Sequence, residues 1–153
     1  MRRLLLLVPA LLLTSYAADA QVRQGLFEVG GSASFVSFDG NTQLALEPSV
    51  GYFLTDALEA GVNLFYLNVE DGGDLGTLTL TADYHFGRPG ATTVPFIGAQ
   101  IGTSFTDDTD VVAGGGAGAK FFFLPGGAIT GELRVLTGGG TTVGAFGGVS
   151  IFF

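Results

Sequence analysis

From residue 25 onwards the chain alternates apolar and small or polar residues with a period of two, over eight consecutive segments separated by turn clusters. Side chains on a strand point alternately to opposite faces, so this period is that of half-apolar β-strands and not of helices. The fourth segment shows it plainly: Leu78, Leu80, Ala82, Tyr84 and Phe86 fall on one face, and Thr77, Thr79, Thr81, Asp83 and His85 on the other. The first sets Phe27, Val29, Ala33 and Phe35 against Glu28, Gly30, Ser32 and Ser34, and the eighth sets Val143, Ala145, Val149, Ile151 and Phe153 against Thr142, Gly144, Gly148 and Ser150. Connections are expected at 39–41, 55–57, 70–74, 87–92, 106–110, 124–127 and 138–141, where Gly, Pro, Asp and Asn gather.

The apolar face continues through all eight segments, whereas the other face carries Gly, Ser, Thr and nearly all the charge. A soluble barrel turns its apolar side chains inward; a barrel in a bilayer does the reverse. Composition favours the second arrangement. Only 13% of the residues are charged and 47% are hydrophobic, against about 25% charged in ordinary soluble domains. Each segment has about ten residues or more, the length that a tilted strand needs to cross hydrocarbon. No apolar run matches the roughly 20 residues of a membrane helix, so a membrane form has to be a closed barrel. The expected fold is all-β: an eight-stranded antiparallel transmembrane up-and-down β-barrel, preceded by a cleavable signal peptide.

The signal peptide is read from residues 1–20. Arg2 and Arg3 precede the apolar stretch Leu4 to Leu13, and Ala18-Asp19-Ala20 offers a small-residue cleavage site before Gln21. Cleavage there would leave residues 21–153 as the barrel domain. It would remove two positive charges and one negative, taking the formal charge from −8 to −9. With six Lys and Arg in the whole chain, a nucleic-acid partner is excluded. The absence of Cys excludes disulfides and thiolate sites.

Residues 25–153 resemble the small outer-membrane barrels of the OmpX and OmpA transmembrane-domain type. The likeness rests on Leu46-Glu47-Pro48-Ser49-Val50-Gly51-Tyr52-Phe53-Leu54-Thr55-Asp56, on Val94 to Ala99, on Gly131-Glu132-Leu133-Arg134 and on the ending Val149-Ser150-Ile151-Phe152-Phe153. The resemblance implies location in the cell outer membrane, periplasmic termini and contact with outer-membrane lipids and lipopolysaccharide. It implies that Val149, Ile151 and Phe153 form a C-terminal signal read by the outer-membrane assembly machinery. A monomer is expected. The short external loops depart from the family pattern, as does an ending at Phe153 without a peptidoglycan-binding domain.

The inward face holds the candidate site residues. Glu28, Glu59, Asp83, His85, Lys120, Glu132 and Arg134 form an expected polar cluster in the periplasmic half, with Glu47 set apart from it. If partners around the 124–127 turn have numbers summing to about 252, Lys120 faces Glu132. Buried charges persist when paired, so the plain reading is a structural plug. The excess of acids over bases leaves open a cation-preferring conductance path. Gly114 to Lys120 is not a phosphate loop, because Phe121 stands where Ser or Thr is required. His85 is the only histidine and is expected to be hydrogen-bonded in the lumen. One His and no Cys make a zinc site unavailable. No catalytic residue, cofactor or metal site is expected, although the acidic loops could bridge divalent cations to lipopolysaccharide. The functional expectation is a structural, envelope-integrity role, with a narrow pore as the alternative and a lipid-modifying enzyme behind it.

Overall fold

The computed structural model describes residues 22–38, 41–69, 73–88, 90–105, 109–138 and 141–153, without the side chains of 35–38, 41–44, 67–69 and 73–75. The expected signal peptide lies outside the described residues, as do the tips of several loops.

Eight strands form one closed antiparallel barrel in chain order. They are β1 (Phe27–Phe38), β2 (Asn41–Phe53), β3 (Leu58–Val69), β4 (Gly73–His85), β5 (Thr93–Phe105), β6 (Thr109–Leu124), β7 (Gly127–Thr137) and β8 (Thr141–Phe152). Each strand pairs with its sequence neighbours, and β8 returns to β1 from Glu28↔Phe152 to Ser34↔Phe146. At the seam, Phe27 and Phe153 exchange backbone hydrogen bonds of 2.9 and 3.0 Å. Closure leaves no sheet edge to template further pairing.

The strands run further into the hairpins than the alternation indicates. Gly73 and Asp74 pair with Val69 and Asn68, and Thr109 and Asp110 pair with Phe105 and Ser104, where loops were expected. Backbone pairing does not require an apolar side chain, so the ladders continue past the last apolar position. Pro48 has the opposite effect. It has no N–H to donate, and the β2–β3 ladder lacks pairs at Glu47 and Pro48 while the register on either side is unchanged.

The faces follow the sequence. Leu46, Val62, Leu80, Ile101, Phe121, Leu133 and Val143 point away from the barrel and are exposed. Glu28, Glu47, Glu59, His85, Lys120 and Arg134 point inward and are buried. Near the termini the outer surface carries Phe27, Tyr52, Tyr84, Phe86, Phe121, Phe123 and Phe153. Tyr66 and Phe105 lie towards the opposite end; the Phe35 side chain lies outside the described residues.

The inside has its own apolar floor. Leu26, Phe53, Val94, Phe122, Ala128 and Phe152 pack together at the termini end, with Val22 and Ala91 against them. Phe53 and Phe152 are fully buried, their rings 6.3 Å apart. Backbone bonds outside the ladders tie this end down: Phe53 N–H donates to Leu26, Phe122 N–H to Thr92 and Phe152 N–H to Gly126.

Leu80 is 62% exposed on the outer face. In a lipid-embedded barrel, Leu80→Arg should cost about 2–4 kcal/mol, as a charge near mid-membrane does. Urea unfolding in phospholipid vesicles measures this; an unchanged midpoint would show that no hydrocarbon covers this face.

Candidate functional site

The alternation brings the seven predicted residues to one surface, the lumen, where they form two systems instead of one. The lower lies on the apolar floor. Lys120 on β6 reaches across the barrel to Glu28 on β1, which it touches closely, and to Glu59 on β3 at 3.0 Å. Its ammonium also lies 5.6, 5.8 and 5.4 Å from the ring centres of Phe53, Phe96 and Phe152. An ammonium among ring faces gains attraction from their quadrupoles, more so when water is excluded. The three rings and two carboxylates enclose the Lys120 head.

The upper system centres on Arg134 of β7. Its Nη1 and Nη2 donate to Glu47 at 2.5 and 3.0 Å, and its Nε and Nη2 donate to Glu132 at 2.9 and 2.8 Å. Two forked pairs on one guanidinium suit the planar donor set of arginine, which lysine could not supply. The guanidinium carbon lies 4.2 Å from the Phe146 ring centre, and Phe146 meets Phe65 edge-on. Glu47, expected to stand apart, is therefore one of the two main acceptors.

Lys120 does not face Glu132. The β6–β7 partners sum to 250, so Lys120 is opposite Thr130 and Glu132 is opposite Gly118. The irregularity between Phe122 and Leu124, next to the two-residue turn Pro125-Gly126, shifts the register from the symmetric hairpin that the sequence suggested.

His85 is also placed differently from expectation. It is 2% exposed, and neither ring nitrogen makes a hydrogen bond among the described residues. Its ring lies 5.1 Å from Phe53 and 5.5 Å from Phe96, with Nε2 at 3.4 Å from Glu59. It packs as a flat side chain under the Lys120 cluster. Phe96 was missed because Val94-Pro95-Phe96-Ile97 is apolar throughout and leaves its two faces undecided; the inward partners Gly98 and Gln100 carry the signal.

Glycine makes room for these acids. A Cβ on Gly51 would collide with the Glu59 carboxylate, one on Gly98 with Asp83 Oδ1, and one on Gly116 with Glu132 Oε1. The narrow interior of eight strands accommodates inward charges because the neighbouring inward positions are empty. Between the two systems a cavity of about 80 Å³ is lined by Glu28, Glu47, Glu59, Asp83, Lys120, Glu132 and Arg134, among others. Val149, Ile151 and Phe153, the expected assembly signal, face outward on and just beyond β8.

No family model matches the sequence, and no curated protein matches it either; the similarity lies in structure. The chain is similar to the N-terminal β-barrel domain of Pseudomonas aeruginosa OprF, with a TM-score of 0.73 and 24% identity over 85% of this chain and 98% of that one. It is similar to a de novo designed transmembrane β-barrel, with a TM-score of 0.66 and 14% identity over 86% and 98%. It is also similar to the outer membrane protein OprG of Pseudomonas aeruginosa, with a TM-score of 0.63 and 10% identity over 89% and 99%. The fold is that of the small outer-membrane β-barrels. Barrels of this fold tolerate wide sequence change because the constraint is on which face is apolar, not on which residue supplies it.

Removing Lys120 alone leaves Glu28 and Glu59 without their cation. Lys120→Met should lower stability by about 3–5 kcal/mol, and adding Glu28→Gln and Glu59→Gln should recover much of that loss. Urea unfolding of the three barrels in detergent followed by circular dichroism measures both effects. A triple variant no more stable than the single one would show that the cost is packing and not charge.

Proposed function

We propose that this chain is an integral protein of a bacterial outer membrane with a structural, envelope-integrity role, holding short acidic loops at the cell surface. One observation carries the reading: every strand presents a row of exposed apolar side chains on the outer face, while the ion pairs lie within. Water on that outer surface would be unfavourable by about 25 cal/mol for each Å² of apolar area, and hydrocarbon removes the penalty. The shared fold with outer-membrane barrels supports the same location.

In this reading both termini are periplasmic and the aromatic residues near them lie at the inner membrane interface. Outer-membrane lipid covers the belt, lipopolysaccharide meets the loops, and the assembly machinery reads Val149, Ile151 and Phe153. The protein works as a monomer, since a closed barrel has no edge to offer a second copy.

A narrow cation-preferring channel is the second reading. The specific observation in its favour is that, among the described residues, Glu28, Glu47, Glu59, Asp83 and Glu132 share the lumen with only Lys120 and Arg134 as permanent cations. Against it stands the floor of Phe53, Phe122 and Phe152, which fills the termini end with apolar side chains. An enzymatic role has less support. His85 is enclosed between rings and hydrogen-bonds to no hydroxyl among the described residues.

Purified outer membranes should contain a form whose gel mobility changes on boiling, as a folded closed barrel unfolds. Recovery from the soluble periplasmic fraction would overturn the proposal. Reconstituted in planar bilayers, the barrel should remain silent, and Phe53→Ala with Phe152→Ala should be the change that admits ions. Regular current steps from the unaltered protein would favour the channel.

A further inference from the structure

The ion pairs of the lumen leave one acid over. Lys120 is held by Glu28 and Glu59, and Arg134 by Glu47 and Glu132. Asp83 on β4 has neither a hydrogen-bond nor an ion-pair partner among the described residues. Its Oδ1 projects over Gly98, the residue opposite it on β5. Beside it lies a cavity of about 20 Å³ whose wall includes Asn63, Thr81, Asp83, Gln100, Glu132 and Arg134. Gln100 is 8% exposed, and its Oε1 is buried without a donor.

A carboxylate and an amide oxygen, both unpartnered, thus border one small space. A volume above about 10–15 Å³ holds a single water or an ion of similar size. Water could donate to Gln100, but it would bring no positive charge to Asp83 in a lumen already rich in acids. Arg134 donates no hydrogen bond to it, because both edges of its guanidinium are engaged by Glu47 and Glu132. The described residues contain no group of three His, Cys, Asp or Glu suited to a metal ion, so the donors do not make a tight divalent site. One carboxylate outside the ion pairs, beside the amide oxygen of Gln100, matches one positive charge on a hard, oxygen-seeking ion.

We propose that this cavity is a binding site for a single alkali-metal cation, held by the Asp83 carboxylate and the Gln100 carbonyl oxygen. The site sits in the wall of the lumen between β4, β5 and the Arg134 system, and it does not depend on whether the barrel conducts.

The test is urea unfolding of the folded barrel in neutral detergent, followed by circular dichroism. Lithium, sodium and potassium chlorides are compared with tetramethylammonium chloride at equal ionic strength, the last cation being too large for the cavity. Binding to the folded form alone makes stability rise with the logarithm of cation concentration. The unfolding midpoint should climb steadily with at least one alkali salt and stay flat with tetramethylammonium. Asp83→Asn should abolish the difference between salts, and so should Gln100→Leu, which serves if the first variant fails to fold. Equal midpoints of the unaltered barrel in all four salts would overturn the proposal, leaving the cavity to water or Asp83 to its own proton. Retention of the salt difference in either variant would overturn it as well.

Discussion

The return of β8 to β1 is the pairing on which the rest of the molecule depends. A sheet of eight antiparallel strands has two edges of unpaired amides and carbonyls unless its ends meet, and no solvent of hydrocarbon can satisfy them. Here the ends meet from Phe27 opposite Phe153 up to Ser34 opposite Phe146. Closure also defines an inside, and only then does the alternation of side chains become a separation of apolar from charged. Glu28, on the closing strand, belongs at once to the seam and to the Lys120 cluster.

The inside is organised by volume as much as by charge. Eight strands enclose a lumen that inward side chains can fill completely. Acids are accommodated over glycines at 51, 98 and 116, and rings occupy the floor. The high glycine content therefore has a local meaning at these positions: each empty Cβ is the place of a carboxylate from the neighbouring strand. An alanine at 51 or 116 would force Glu59 or Glu132 to move and strain its ion pair.

Strand number, strand faces and the inward set of charges were legible in the sequence, because a period of two states directly which side a residue takes. Leu78 to Phe86 is a sufficient example. The partners across the lumen were not legible. Lys120 and Glu28 are 92 residues apart, and which of several acids the ammonium meets depends on the stagger and tilt of the closed sheet, which no single strand encodes. The same ignorance of register placed Glu132 opposite Lys120, two residues from where the irregular β6–β7 hairpin puts it. Glu47 was assigned away from the cluster by its height on β2, yet the length of Arg134 bridges that height. Phe96 lay in a stretch apolar on both faces, where alternation has nothing to report.

The long sequence separation of the Lys120 contacts bears on how the barrel is made. Neither Glu28 nor Glu59 is near Lys120 in an unrolled sheet; they become neighbours when the wall curves round to its first strand. An incomplete barrel would carry an isolated ammonium and several isolated carboxylates, a state of high electrostatic cost. Partly zipped intermediates are thereby raised in energy relative to both the unassembled chain and the finished ring. The lumen charges thus favour the complete ring over a sheet with one strand missing.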